Sequence, residues 1–161
     1  MNALLNAVSR TLLVSLLAGV SLSAVAQTRV EDPWVRATVA GQPSSGAFMR
    51  ITADTDSTLL SVSSPVAKDV QIHEMSMTND VMRMGPVDAV PLPAGETVAL
   101  DPDGYHVMLM GLNGQIKEGD QVPLTLTVKN AEGETEVVNV TAPARAATAP
   151  MDMAHDHGMT H

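Results

Sequence analysis

The sequence predicts an all-β protein, a β-sandwich built as a single domain. Three observations predict it. Between Val30 and Ala144 apolar residues recur in short runs of period two, and no helix-length stretch carries a 3.6-residue apolar period. Clusters of turn-forming residues separate the runs: Gly41-Gln42-Pro43-Ser44-Ser45, Asp101-Pro102-Asp103-Gly104 and Asn130-Ala131-Glu132-Gly133. The 161 residues leave room for one ordinary domain. Closely spaced short strands argue a sandwich, although this pattern alone does not separate its possible topologies, the immunoglobulin-like one included.

The elements follow in order. Residues 1–26 read as a signal peptide: Arg10 gives the positive flank, Leu12 to Val20 an apolar run, and Ala24-Val25-Ala26 a small-x-small cleavage site. The 16 residues between Arg10 and Gln27 fall short of the ~20 that span a bilayer as a helix. The folded domain is expected over 27–144. Its strands are expected at Trp34–Val39, Gly46–Thr52, Leu59–Ser63, Asp69–Met75, Thr97–Leu100, Tyr105–Leu112, Gln121–Lys129 and Thr135–Thr141. Between the fourth and fifth, Met77 to Asp88 reads as a loop. Trp34, Phe48, Ile51, Leu60, Ile72, Leu100, Val107, Leu109, Leu124, Leu126 and Val138 are the expected core. From Ala142 the composition turns to Ala and Pro, a linker into a tail over 145–161.

Composition excludes several functions. There is no cysteine, so no disulfide supports the fold, no thiolate can hold a blue-copper centre, and no reactive thiol is available. The formal net charge is −9. Loss of Arg10, the one charged residue among the first 26, would leave −10. A surface this acidic argues against nucleic-acid binding.

The informative residues lie between Val70 and Met110. His73-Glu74-Met75 and His106-Val107-Met108 each sit in a strand-like run, so each sends an imidazole and a thioether to one face. Met84 stands between them. Two His and two Met with no Cys make a poor zinc site and suit a soft, low-valent ion, above all Cu(I). The alternative for the Met residues is adaptable core filling.

The spacing His73-x10-Met84-x21-His106-x-Met108 resembles that of the PCu(A)C family, the periplasmic copper chaperones. Asp32-Pro33-Trp34-Val35-Arg36-Ala37, Ser45-Gly46-Ala47-Phe48-Met49, Leu92-Pro93-Ala94-Gly95 and Gly104-Tyr105-His106-Val107-Met108 extend the likeness over roughly 30–141. The resemblance implies a cupredoxin-like Greek-key β-sandwich, with His73, Met84, His106 and Met108 as Cu(I) ligands. It also implies delivery of copper to cytochrome c oxidase copper-assembly proteins or to the oxidase subunit itself. Met75 and Met110 are then expected to pack beside the ligands. Met77 and Met82 are further thioethers nearby.

In the tail, Met151, Met153, His155, His157, Met159 and His161 form a short His/Met-rich tract with Asp152 and Asp156, a candidate second copper site. Imidazole and carboxylate favour Cu(II) there, and the thioethers favour Cu(I). No enzyme is expected: the mature end near Gln27 offers no N-terminal His, and no Gly-x-Ser-x-Gly nucleophile motif occurs. The sequence therefore predicts a monomeric, exported periplasmic copper chaperone, free of the membrane after signal cleavage. A copper-sequestering or resistance protein without a dedicated client is the alternative, because it would use the same ligands.

Overall fold

The computed structural model describes residues 27–146. The expected signal peptide and the His/Met-rich tract lie outside the described residues. Ten strands form the described part: β1 (Thr28–Arg36), β2 (Ser44–Ala53), β3 (Ser57–Ser63), β4 (Ala67–Thr78), β5 (Val81–Pro86), β6 (Val90–Leu92), β7 (Thr97–Leu100), β8 (Tyr105–Leu112), β9 (Gln121–Asn130) and β10 (Thr135–Arg145). No helix occurs among the described residues.

The hydrogen-bonded order is β5-β4-β8-β7-β2-β1-β10-β9-β3-β6. The run turns at β1–β10, a parallel pairing of only two register pairs, Val35↔Ala144 and Arg36↔Arg145. On either side of that junction, alternation aims one face inward. Val122, Leu124, Leu126 and Val128 are buried at every second position of β9. They share one core with Leu59 and Leu92 from the same half and with Ile51, Ile72, Leu100, Val107 and Leu109 from the other. Two halves burying one common core make the expected all-β, cupredoxin-like sandwich. With no disulfide available, burial carries the fold, at roughly 1.5–3 kcal/mol for each fully buried aliphatic side chain.

Several local expectations are corrected. The first strand begins at Thr28 and ends at Arg36; a bulge between Glu31 and Trp34, with Asp32 at φ 52°, absorbs the Asp-Pro step inside it. Leu60 is 38% exposed, because a bulge between Leu59 and Ser61 flips the parity of β3 and puts Leu59 and Val62 inward. Phe48 is buried, as expected, and Trp34 is half-buried, but neither joins the main core cluster. Their rings pack 4.6 Å apart on the opposite face of β1 and β2, with Arg145 over Trp34 and Arg36 over Phe48. Val138 is half-buried against the core. Ala142 and Ala144, expected in the linker, are buried residues of β10 paired with β9 and β1.

The largest correction concerns 77–88. Thr78 and Val81 pair across Asn79 and Asp80, both at positive φ (51° and 60°), the backbone of a two-residue type I′ turn. That turn matches strand twist, so the chain returns as β5 and does not wander as a loop. Met84 thus sits on an edge strand, in fixed register with β4.

Candidate metal centre

The site lies on the outer face of the β2–β8–β4–β5 region, behind the core. Register builds it. In β2, Ser44–Ala47 pairs with β8, whereas Met49–Thr52 pairs with β7. Strands β7 and β8 therefore lie end to end along one neighbour, interrupted by the turn at 101–104. The Asp101 carboxylate holds that turn, accepting from the backbone N–H of Asp103 (3.0 Å) and Gly104 (2.9 Å). On its far side His106 stands directly opposite His73 of β4, Met108 opposite Gln71, and Met75 opposite Met84 of β5. Directly opposed residues share a face, so both His residues, Met75, Met84 and Met108 converge from three strands.

The imidazoles are oriented by hydrogen bonds. His106 is buried, 5% exposed, and its Nδ1 lies 3.1 Å from the Gly104 carbonyl, which can only accept. Neutral His106 therefore carries its proton on Nδ1 and turns the lone pair of Nε2 towards Met84 Sδ, 3.1 Å away. The Gly104 carbonyl is itself held, since it also accepts from the Met75 N–H at 3.2 Å.

His73 is set the opposite way. Asp69 Oδ2 accepts from Gln71 Nε2 (2.8 Å), which points Gln71 Oε1 at His73 Nε2 (3.0 Å). The proton of neutral His73 then sits on Nε2, and Nδ1 is a buried nitrogen with no hydrogen-bond partner. The two rings are 6.0 Å apart between centroids. The pKa of His73 is lowered from 6.5, first by burial and then by the neighbouring His106. Two imidazoles, each of which in its neutral form leaves one ring nitrogen bare, and a facing thioether are the donor chemistry of a soft cation. No cluster of three or more His, Cys, Asp or Glu suited to a metal occurs among the described residues.

A cleft of about 310 Å³ opens over this face, lined by Met75, Met84, His106 and Met108 and, from the other side, by Arg36, Gly46, Phe48 and Pro102. Of the four residues picked out by spacing, three line the cleft, and His73 stands behind His106 across the β4–β8 pair. Gly46, opposite Met108, leaves room for the Phe48 ring: a Cβ there would lie 2.8 Å from Phe48 Cζ. The tail candidates Met151, Met153, His155, His157, Met159 and His161 lie outside the described residues.

Sequence reasoning missed Gln71, Asp69 and the Gly104 carbonyl as orienting groups; Met75, expected to pack beside the ligands, lines the cleft with them. The signal was present: Asp69, Gln71, His73 and Met75 occur at steps of two along one strand, hence on one face.

The geometry defines an all-β domain with a His/Met cleft, and its fold is that of PCuAC domains. The copper-bound PCuAC domain from PmoF2 superposes with a TM-score of 0.55 at 24% identity, over 73% of this chain and 93% of that one. Apo-DR1885 from Deinococcus radiodurans gives 0.53 at 29% identity, over 73% and 79%. The chain belongs to the LpqE-like family, whose model, "Putative lipoprotein LpqE-like", matches residues 28–143. Among curated proteins, "Putative lipoprotein Lxx21020" of Leifsonia xyli subsp. xyli is 30% identical over 113 residues, 70% of this chain and 67% of that protein.

Proposed function

We propose that this protein is a periplasmic copper chaperone that binds one Cu(I) through His73, Met84, His106 and Met108. The observation that carries the reading is the pair of bare ring nitrogens on facing residues: His106 Nε2 aimed at Met84 Sδ, and the buried, unpartnered Nδ1 of His73, whose ring centroid lies 6.0 Å from that of His106. The thioethers bind without losing a proton, and the lowered pKa of His73 keeps that ring neutral and able to bind metal below the ordinary imidazole range. The fold likeness to PCuAC domains, one of them solved with copper, supports the same class.

Exposure supports a carrier over a structural metal site. His106 is buried, whereas Met84 on the edge strand is 53% exposed. A client protein could approach from the β5 side and replace the exposed thioether first, while the imidazoles still hold the ion. Delivery to cytochrome c oxidase copper assembly is the client proposed, and the chaperone cycle has no turnover of substrate. The segment 1–26 is proposed as the export signal, and the tract from Met151 to His161 as a second, weaker copper site that favours Cu(II). A sequestering protein without a client would share these ligands; metal transfer from the loaded protein to the apo oxidase copper domain separates the two.

Competition with a Cu(I) chelator tests the site. His106→Ala and Met108→Ala should each lose most of the Cu(I) affinity, and wild-type affinity in both would refute the assignment.

A further inference from the structure

The β4–β5 hairpin carries more thioethers than the cleft uses. Met77 stands directly opposite Met82, and the next pair on the same face, one step towards the cleft, is Met75 opposite Met84. Which kind of pair these are follows from the turn. Thr78 and Val81 close a two-residue hairpin and so exchange hydrogen bonds, and pairs alternate from there. The Met75 N–H confirms the alternation, since it turns away from β5 to the Gly104 carbonyl. Met77/Met82 and Met75/Met84 are therefore both non-hydrogen-bonded pairs, the closely spaced kind, with Cβ atoms ~4.5–5.5 Å apart.

The outer pair has no packing role. Met77 is 66% exposed and Met82 52% exposed, and neither belongs to the hydrophobic core. They stand on the terminal hairpin of the sheet, with β5 at its edge. Exposed edges usually carry charged residues that deter association, and exposed strand positions favour β-branched or aromatic residues. Two facing, solvent-exposed Met residues satisfy neither preference. Their remaining chemistry is the sulfur.

We propose that Met77 and Met82 form a further site on the folded domain, weaker than the cleft, for a soft monovalent cation, Cu(I) or Ag(I), and that this site is the port through which copper reaches the cleft. The inference rests on the Cu(I) reading of the cleft given above. Two thioethers facing across a close pair can clamp such an ion from two sides. At a strand rise of ~3.4 Å per residue, the step from Met77/Met82 to Met75/Met84 is about 7 Å. The same step again leads from there to His73 opposite His106, and Met84 Sδ already touches His106 Nε2. Two thioether pairs of the hairpin and the β4–β8 imidazole pair behind them thus form a ladder leading from solvent to a buried imidazole. Affinity rises along it, because Met75 is less exposed than Met77, Met84 is backed by His106, and the innermost pair supplies the nitrogen donors.

The test uses the full chain with ¹³C-methyl-labelled Met and Ag(I) as a redox-inert probe. The first equivalent should shift the Met84 and Met108 methyl signals; further Ag(I) should shift those of Met77 and Met82 together. Met77 and Met82 signals that stay in place through excess Ag(I), while Met84 and Met108 move, overturn this proposal alone. If all four stay in place, both readings fail. The double variant M77L/M82L keeps side-chain volume and removes both sulfurs. It should load Cu(I) from a chelator complex several-fold more slowly than wild type, with the equilibrium affinity of the cleft unchanged. Loading at the wild-type rate overturns the role as a port.

Discussion

Replacing Gln71 by Leu should weaken Cu(I) binding without unfolding the domain. Gln71 touches no proposed ligand atom that binds metal; it accepts from His73 Nε2 at 3.0 Å and is itself aimed by Asp69 at 2.8 Å. Leucine keeps the bulk and removes the acceptor, so the proton of His73 is free to move to Nδ1 and cover the lone pair that the metal needs. Partners that orient a ligating imidazole are worth about 10–100-fold in metal affinity. That range corresponds to about 1.4–2.8 kcal/mol. The same hydrogen bond contributes only about 0.5–1.5 kcal/mol to folding. The melting temperature of the metal-free variant should therefore fall by only a few degrees, while chelator competition at neutral pH shows the larger loss. Wild-type affinity in Gln71→Leu would refute the claim that the Asp69–Gln71 relay sets the tautomer of His73.

Three further outcomes follow from the same geometry. Gly46→Ala places a Cβ 2.8 Å from Phe48 Cζ, and that ring is pinned by Trp34 at 4.6 Å; the variant should lose about 1–3 kcal/mol in thermal or denaturant unfolding, and it should bind copper more weakly because both residues line the cleft. The lowered pKa of His73 means that the unfolded chain binds more protons there than the native one. Stability of the metal-free protein should accordingly fall as pH drops from 6.5 towards the native value, and His73→Gln should flatten that part of the profile in denaturant titrations at stepped pH. Removing 147–161 should abolish a second Cu(II) equivalent and leave the first Cu(I) equivalent intact by metal titration. The cut belongs after Ala146 because Arg145 is still in β10, with its guanidinium over Trp34 and 3.9 Å from Asp32.

Much of this was legible in the sequence, for identifiable reasons. Strand β9 reads directly, since Val122, Leu124, Leu126 and Val128 alternate without a break and no bulge disturbs them. The ligand triplets read for the same reason: parity alone puts His106 and Met108 on one face. What parity cannot supply is register. That Met75 faces Met84 depends on the two-residue turn at Asn79-Asp80, where both residues take positive φ, a conformation that Asn and Asp tolerate better than other non-glycine residues but do not require. A one-residue error there sends Met84 to the wrong face. Bulges defeated the reading of Leu60 for the same physical reason. Phe48 is buried as expected and Trp34 only half-buried. The two pack as a separate aromatic pair on the outer face, with an Arg side chain over each ring, because parity along β1 and β2 turns them away from the main cluster.

X-ray absorption at the copper edge of the full chain, loaded with one equivalent of Cu(I), tests the central claim most directly. The spectrum should require both nitrogen and sulfur scatterers bound to the ion. Met84→Ala should reduce the sulfur contribution, and His106→Ala the nitrogen one. A copper shell of nitrogen and oxygen alone, unchanged in both variants, would contradict the account.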